Sequence, residues 1–98
     1  MEGVLWYLLA SSRGGPTRTR LLRVLEDQPR NANQLADELD LDYTTVRHHL
    51  DVLMDNNVVR RAGGDYGAVY LFTDQVRTNW DTVEEILEAV DAGGNDDP

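Results

Sequence analysis

The 98-residue sequence predicts a single, mainly α-helical domain with one small β-hairpin, an α+β fold. Three observations support this prediction. Residues 33–56 contain two apolar stripes with helical spacing, separated by a short turn. Residues 58–73 contain two β-branched and aromatic runs on either side of a glycine-rich segment. Residues 74–92 repeat apolar side chains at intervals of three and four, as a longer helix does.

The N-terminal stretch is predicted to be a helix that is apolar on almost every side, because residues 4–9 are consecutive apolar side chains. Such a helix must be buried on almost every side. A chain of this length has little material to cover it, so we expect a second subunit there. The residues of this segment expected at the subunit interface are Val4, Leu5 and Leu8. After a break at residues 13–16, residues 17–27 are predicted to form the next helix.

The central stretch is predicted to be a helix-turn-helix. Its first helix repeats apolar side chains at Leu35 and Leu39, and its second does so at Val46 and Leu50. Residues 40–42, which separate the two helices, are too few to form anything but a turn. Asp42 stands where a side-chain acceptor caps the first free N–H groups of a helix. Two short helices joined in this way form a helix-turn-helix.

A β-hairpin that directly follows a helix-turn-helix is the wing of a winged helix, and residues 58–73 are predicted to form it. The last helix, residues 74–92, has a heptad seam that we expect to pair with a second subunit. The seam residues expected at that interface are Trp80, Val83, Leu87 and Val90. Residues 1–92 are thus predicted to be one domain, followed by a flexible tail at residues 93–98.

The charge of the chain is unusual. Eighteen acidic residues against nine bases give a net charge of −9, and every base is arginine. This charge should repel nucleic acid at low salt. In molar salt, however, the Debye length falls to about 3 Å, and only contact-range chemistry remains. An acidic surface without lysine resembles the proteins of salt-in halophilic archaea, and the alternative is an ordinary acidic mesophilic domain.

Other function classes are disfavoured by composition. The sequence has no cysteine, which excludes disulfides, thiolate metal sites and cysteine nucleophiles. No apolar run approaches the roughly 18 residues of a membrane span, so no membrane partner and a cytoplasmic location are expected. No arrangement of nucleophile, base and acid suggests an enzyme, and neither a cofactor nor a metal site is predicted. His48 and His49 are adjacent and point about 100° apart, so they cannot chelate as i, i+4 histidines do.

The most specific segment is TVRHHLDVL at residues 45–53, followed by NNVV at residues 56–59. Together with the order of helices and wing, it resembles the ArsR-like winged-helix transcription regulators, particularly small haloarchaeal ones. The resemblance implies a homodimer with its interface on the terminal helices and its two recognition helices in successive major grooves. Metal sensing is not implied, because cysteine is absent and the last helix has no histidine. The wing tip, Gly64-Asp65-Tyr66, also lacks the basic residue usual in the family.

The candidate DNA-binding residues lie on three predicted elements. On the recognition helix, N-terminal residues meet base edges in a helix-turn-helix, and the alternative is a solvated helix face. The candidates there are Tyr43, Thr44, Thr45, Arg47 and His48. Arg18 and Arg20 are candidate phosphate anchors. On the wing the candidates are Arg60, Arg61 and Tyr66, although alternation along a strand lets only one of the two arginines face DNA. His49 points inward and is interpreted as a half-buried structural histidine.

The function that these observations favour is a homodimeric, sequence-specific transcriptional regulator that binds double-stranded DNA. The alternative is a winged-helix module for protein–protein contact in a transcription or assembly complex, which the net charge of −9 favours. The two hypotheses differ in the expected arrangement of arginines. Convergence of Arg18, Arg20, Arg47 and one wing arginine on a single face would favour DNA, and scatter would favour a protein partner. The sequence does not define an effector, an operator or the direction of regulation.

Overall fold

The structure, a computed structural model, describes residues 1–64 and 67–94. Its elements are α1 (Glu2–Trp6), a π-helical segment π1 (Tyr7–Ser11), α2 (Gly15–Asp27), α3 (Ala32–Leu39), α4 (Tyr43–Asp55), β1 (Val59–Ala62), β2 (Val69–Phe72), α5 (Asp74–Thr78) and α6 (Trp80–Gly94). The two strands form an antiparallel hairpin after the helix-turn-helix of α3 and α4. The predicted α+β fold, a winged helix-turn-helix, is confirmed.

Side-chain caps fix the ends of the helix-turn-helix. Asn31 begins α3 with a reciprocal capping box, in which its Oδ1 accepts from the Gln34 N–H at 2.8 Å and Gln34 Oε1 accepts from the Asn31 N–H at 2.8 Å. Asp40 ends α3 in the left-handed region, with φ of 57°. The Oδ2 of Asp42 accepts from the Thr45 N–H at 3.2 Å, which confirms the predicted cap of α4.

The wing is attached to the segment that precedes α3. In the hairpin, Arg61 is opposite Tyr70 and Arg60 is opposite Leu71. The Tyr70 N–H also donates to the Arg30 carbonyl at 2.8 Å, so a third stretch of chain pairs with β2. Cross-strand neighbours share a face of the sheet. The two wing arginines therefore lie on opposite faces of the hairpin.

The N-terminal helix is buried on one side only. Leu5, Leu8 and Leu9 are at most 3% exposed and lie in the core that α1 and π1 form with α2 and α6. Val4 and Tyr7 are 43% and 62% exposed. The prediction that this helix is buried on almost every side is therefore wrong for the chain by itself. Leu5 and Leu8 were expected at a subunit interface, but they are covered by their own chain.

The terminal helix also differs from its prediction. Asn79 separates α5 from α6, so residues 74–92 are not one continuous helix. Val83 and Leu87 are fully buried in the chain's own core, because α6 packs against α1, π1 and α2. Their predicted place at a subunit interface is wrong. Trp80 and Val90 are half-buried, and the Trp80 ring lies 5.0 Å from the ring of Phe72 at the base of the wing.

The C-terminal end of the described chain is helical as far as Gly94, which was predicted to belong to a flexible tail. The rest of that predicted tail, residues 95–98, lies outside the described residues. Within residues 1–64 and 67–94, no helix combines the length and the apolar character that crossing a membrane requires.

Candidate nucleic-acid interface

The N-terminal half of α4 presents the predicted recognition residues at the surface. Val46 and Leu50 are fully buried and hold the helix against the core. Thr44 and His48 are exposed on the opposite side, and Tyr43 is 45% exposed at the first turn. Because side chains three and four apart share a helix face, these exposed groups form one continuous surface.

Arg47 is held in place at the centre of that surface. Its Nη1 donates to the Tyr43 hydroxyl at 3.1 Å, and its Cζ lies 5.9 Å from the centre of the Tyr43 ring. The hydrogen bond that Arg47 donates to Tyr43 is the main reason that the pKa of Arg47 is raised. Tyr70 and Tyr43 also raise it electrostatically, and Asp51, with Oδ1 3.8 Å from Nη2, adds a smaller contribution. The Nε of Arg47 is buried and donates to no described residue. The side chain as a whole is 38% exposed and its Nη2 makes no hydrogen bond to a described residue, so the guanidinium keeps N–H donors for an added acceptor.

Thr45 has a different role from its neighbours. Its hydroxyl donates to Asp42 Oδ1 at 2.7 Å, and its N–H donates to the other oxygen of the same carboxylate. The two hydrogen bonds lower the pKa of Asp42. Thr45 is half-buried, and its hydroxyl proton is already used in the cap of α4. Among the predicted contact residues of α4, it is the least available to a ligand.

A polar hollow of about 190 Å³ separates the start of α3 and α4 from the wing. Its lining includes Asn33, Tyr43, Arg47, Arg61 and Tyr70. The hollow brings one wing arginine, Arg61, beside the arginine of the recognition helix. Arg60 is exposed on the other face of the hairpin. The predicted alternation of the wing arginines thus selects Arg61 for this side.

Arg18 is not at the surface, although it was predicted to anchor a phosphate. It is 5% exposed, and its Nε donates to the Leu8 carbonyl at 3.0 Å. Its Nη1 lies 3.2 Å from His49 Nδ1, and its Nη2 donates to the Ser12 hydroxyl. Burial lowers the pKa of Arg18. The predicted phosphate contact is wrong, because the guanidinium joins π1 to the recognition helix inside the domain.

The interpretation of His49 as a structural histidine is confirmed, because its side chain is 8% exposed and pairs with Arg18. An Nδ1 that faces a guanidinium acts as the acceptor of the pair, so the imidazole is neutral. Burial, followed by the charge of Arg18, lowers the pKa of His49. Gly14 makes room for this pair, because a Cβ there would lie 2.5 Å from Arg18 Nη1 and 2.8 Å from His49 Cε1.

Two further candidates have different outcomes. Arg20 is exposed, but its Nη2 donates to the Leu39 carbonyl at 3.0 Å and so supports the end of α3. Tyr66 lies outside the described residues. Of the four arginines expected to converge, Arg47 and Arg61 do so, whereas Arg18 and Arg20 bind within the domain.

Sequence reasoning did not find Asn33 or Tyr70 as part of this hollow. Asn33 lies in the first turn of α3, in a segment that the sequence predicts only as the start of the helix-turn-helix. Tyr70 was assigned only to a strand. The alternation of strand residues placed Tyr70 on the same face as Phe72. The residue opposite Tyr70 in the hairpin could not be predicted. The register depends on the type and length of the loop, and the apolar pattern of the strands does not determine either.

Comparison with known proteins gives the same fold. Residues 15–61 match the family model described as bacterial regulatory protein, arsR family. This ArsR-type match runs from α2 through the helix-turn-helix to the first strand of the wing. No curated protein matches the chain.

Several solved structures are similar to the chain. RV1404 from Mycobacterium tuberculosis has a TM-score of 0.62 at 20% identity, over 79% of this chain and 55% of that one. A MarR-like transcriptional regulator (tm0816) from Thermotoga maritima has a TM-score of 0.63 at 15% identity, over 85% of this chain and 62% of that one. Reduced HlyU from Vibrio cholerae has a TM-score of 0.64 at 16% identity, over 87% of this chain and 81% of that one. The chain therefore spans less than two thirds of the first two proteins.

Proposed function

We propose that the chain is an ArsR-family transcriptional regulator that binds double-stranded DNA as a homodimer, with α4 in the major groove. The observation that supports this function is the convergence of Arg47 and Arg61 on one polar hollow, beside the exposed Thr44 and His48. The match of residues 15–61 to an ArsR-type model supports the same function.

The proposed contacts follow from the chemistry of each side chain. Arg47 is suited to the two acceptors of a guanine edge, which arginine binds with a bidentate pair of hydrogen bonds. Thr44 offers a methyl group to a thymine methyl, and His48 offers an N–H donor. Arg61 faces the side of the hollow where the wing would meet a phosphate. Asp51 lies on the same helix and opposes nonspecific attraction to the backbone.

The net charge of −9 makes a high-salt cytoplasm part of the proposal. At low ionic strength this charge opposes approach to DNA. In molar salt the Debye length is about 3 Å, so the distant acidic groups no longer matter. Hydrogen bonds at contact distance then supply a larger share of the affinity than phosphate neutralisation does.

A homodimer is proposed through the outer face of the N-terminal segment. Val4 and Tyr7 are large apolar groups that remain exposed there, three residues apart on the same side. Paired about a two-fold axis, this patch would meet its own copy. The two recognition helices of such a dimer would read half-sites about 34–36 Å apart.

The function is tested by selection from a pool of upstream genomic fragments in molar KCl, followed by fluorescence anisotropy on the enriched fragment. The wild-type chain should enrich a defined sequence. Arg47→Gln should lose that preference, whereas Arg13→Gln, which removes the same charge from an exposed loop, should keep it. The proposal fails if no sequence is enriched at any salt concentration.

The dimer is tested by light scattering in molar KCl. Tyr7→Asp places a charge on the proposed interface, where the side chain is 62% exposed and does not support the core. We expect a folded monomer from this variant and a dimer from the wild type. A monomeric wild-type chain would contradict the proposed assembly without bearing on the fold.

A second candidate function is contact with a protein partner that has a basic surface. The observation that favours it is the exposure of Asp51 and Asp55 on the second half of α4, together with the internal use of Arg18 and Arg20. These two functions predict different effects of salt. Binding to a basic protein would weaken in molar KCl, whereas the proposed DNA complex is expected to persist there.

A further inference from the structure

A second and larger hollow, of about 340 Å³, shares no lining residue with the candidate DNA interface. It is bounded by the end of α2, by β2 and by the region where α5 meets α6. Its apolar lining is Leu25, Pro29, Leu71, Phe72 and Trp80. Ligand pockets in proteins commonly occupy about 300–1,000 Å³ and are mostly apolar with a few polar groups. The hollow is thus of a size for a small organic molecule.

The two acidic side chains at its rim each have an arginine partner, and each of those arginines is shared with other carboxylates. Glu26 Oε1 lies 3.0 Å from Arg23 Nη1, and Asp27 Oδ2 lies 3.2 Å from Arg30 Nη2. Both ion pairs join residues three apart across the end of α2. Arg23 also pairs with Glu84 and Asp91, and Arg30 also pairs with Glu38, so the charges of Glu26 and Asp27 are only partly offset. A ligand carboxylate would therefore have to bind at the side of the hollow away from these two acids, where Arg77 lies.

Two other arginines, Arg77 in the lining and Arg60 near it, have no carboxylate partner in the described part of the chain. Arg77 lines the hollow from the last turn of α5, is exposed, and forms no ion pair or side-chain hydrogen bond with a described residue. Arg60 is also exposed and without such a partner in the described part of the chain. It lies opposite Leu71 in the hairpin, and cross-strand neighbours have Cβ atoms about 4.5–5.5 Å apart. An apolar hollow with aromatic walls therefore has free guanidinium groups at its edge.

We propose that this hollow binds a small carboxylate with an aromatic or branched apolar body. The apolar part would lie against Trp80, Phe72 and Leu71, and the carboxylate would accept hydrogen bonds from Arg77. An arginine–carboxylate pair is a charge-assisted and geometrically specific contact. The Debye length in molar salt, about 3 Å, still permits attraction at that distance. Binding here is independent of whether the chain binds DNA.

The test uses the fluorescence of Trp80 in the full chain, in molar KCl. Trp6→Phe removes the only other tryptophan, which lies outside the hollow. Benzoate and phenylacetate are the probes, and benzamide and phenylacetamide are their uncharged counterparts. We expect a saturable change with the carboxylates and at least tenfold weaker binding of the amides. No saturable change with either carboxylate would overturn the proposal.

Three further variants, all made in the Trp6→Phe chain, locate the site. Arg77→Gln should weaken binding of the carboxylates at least tenfold, whereas Arg13→Gln should leave it unchanged. Leu71→Trp, which fills the hollow from a half-buried strand position, should abolish binding as measured by isothermal titration calorimetry, since the added tryptophan would mask the Trp80 signal. Circular dichroism should show that this chain still melts cooperatively. Equal affinity in the Arg77→Gln and Arg13→Gln chains would show attraction to the chain's surface in general and would overturn the assigned site.

Discussion

Arg18 and Arg47 are both arginines of the helical core domain, and both were predicted to meet DNA, but their surroundings differ. Arg18 is 5% exposed and faces a carbonyl, a hydroxyl and a neutral imidazole, with no carboxylate among these partners. The side chain of Arg47 is 38% exposed and has the Tyr43 hydroxyl and a distant carboxylate as partners. One guanidinium holds two parts of the fold together, and the other lies over the polar hollow.

The difference teaches that an arginine's role depends on where its five donors go and not on its charge. The donors of Arg18 reach groups of π1 and α4 that have little access to water, so its loss leaves buried acceptors unpaired. Arg47 retains a donor that no described residue accepts. Substitutions at the two positions should therefore separate stability from binding.

The largest expected effect is on stability. Arg18→Ala should lower the free energy of unfolding by about 3 kcal/mol, because His49 loses its donor inside the core and the Leu8 carbonyl keeps only the Ser12 hydroxyl as a side-chain donor. For a domain of this size, that corresponds to a melting temperature lower by roughly 15 °C. Thermal unfolding followed by circular dichroism measures the change. Arg13→Ala is the matched control, since an exposed substitution usually stays within about 0.5 kcal/mol.

A companion variant, Arg18→Met, fills the same volume without the hydrogen bonds. If Met restored full stability, the contribution of Arg18 would be packing alone, and the contrast with Arg47 would disappear.

Next in size is the effect of Arg47→Gln on DNA affinity. Loss of a bidentate contact to guanine should cost about 1–3 kcal/mol of discrimination, or roughly 5- to 150-fold in affinity for the enriched sequence. The melting temperature should hardly move, since the side chain is partly exposed. Anisotropy titrations with matched and altered sites measure this difference. An equal loss on every DNA sequence would mean that Arg47 contacts phosphate instead of a base.

A smaller and more uniform effect is expected at the wing. Arg61→Gln should weaken binding to all sequences alike and reduce the slope of log affinity against log salt concentration by about 0.9. Arg60→Gln should leave that slope unchanged, because Arg60 lies on the other face of the hairpin. Titrations across a series of KCl concentrations compare the two. Equal slopes for both variants would remove Arg61 from the proposed interface.

The smallest effect concerns the partner of Arg18. The pKa of His49 is lowered in the fold from its ordinary value of 6.5, so the unfolded chain binds a proton more readily than the folded one. Stability from this residue is complete above pH 6.5 and declines as the pH falls through the lowered pKa.

Urea unfolding at about pH 7.5 and about pH 5.5 should therefore show a smaller pH effect in His49→Gln than in the wild type. Groups other than His49 titrate alike in both chains and cancel in this difference. The same pH effect in both chains would mean that His49 is not held neutral by Arg18.

Local signals in the sequence were enough to predict the helix-turn-helix and the wing. Asp42 caps α4 through contacts only three residues away, and Leu35 and Leu39 repeat with the period of one helix. Such short-range features depend on helix geometry alone. The inward position of His49 followed from the same periodicity.

Contacts between residues far apart in the sequence could not be predicted from these local signals. The spacing of Val83 and Leu87 showed that one face of the helix is buried, but not that α1 and π1 of the same chain cover it. A heptad seam and an intramolecular core stripe have nearly the same period. Likewise, Arg18 and His49 are 31 residues apart, and neither has a local sequence signal for the other.

The π-helical segment has a consequence for how the molecule opens. Its Leu8 carbonyl accepts from Arg18, and Arg18 also pairs with His49 on the recognition helix. Release of residues 7–11 would therefore remove one of the contacts of α4, in addition to which the buried Val46 and Leu50 hold that helix. We therefore expect the N-terminal segment and α4 to open together, as one cooperative unit in amide hydrogen exchange. Slow amide exchange in residues 7–11 would then indicate that α4 is also folded.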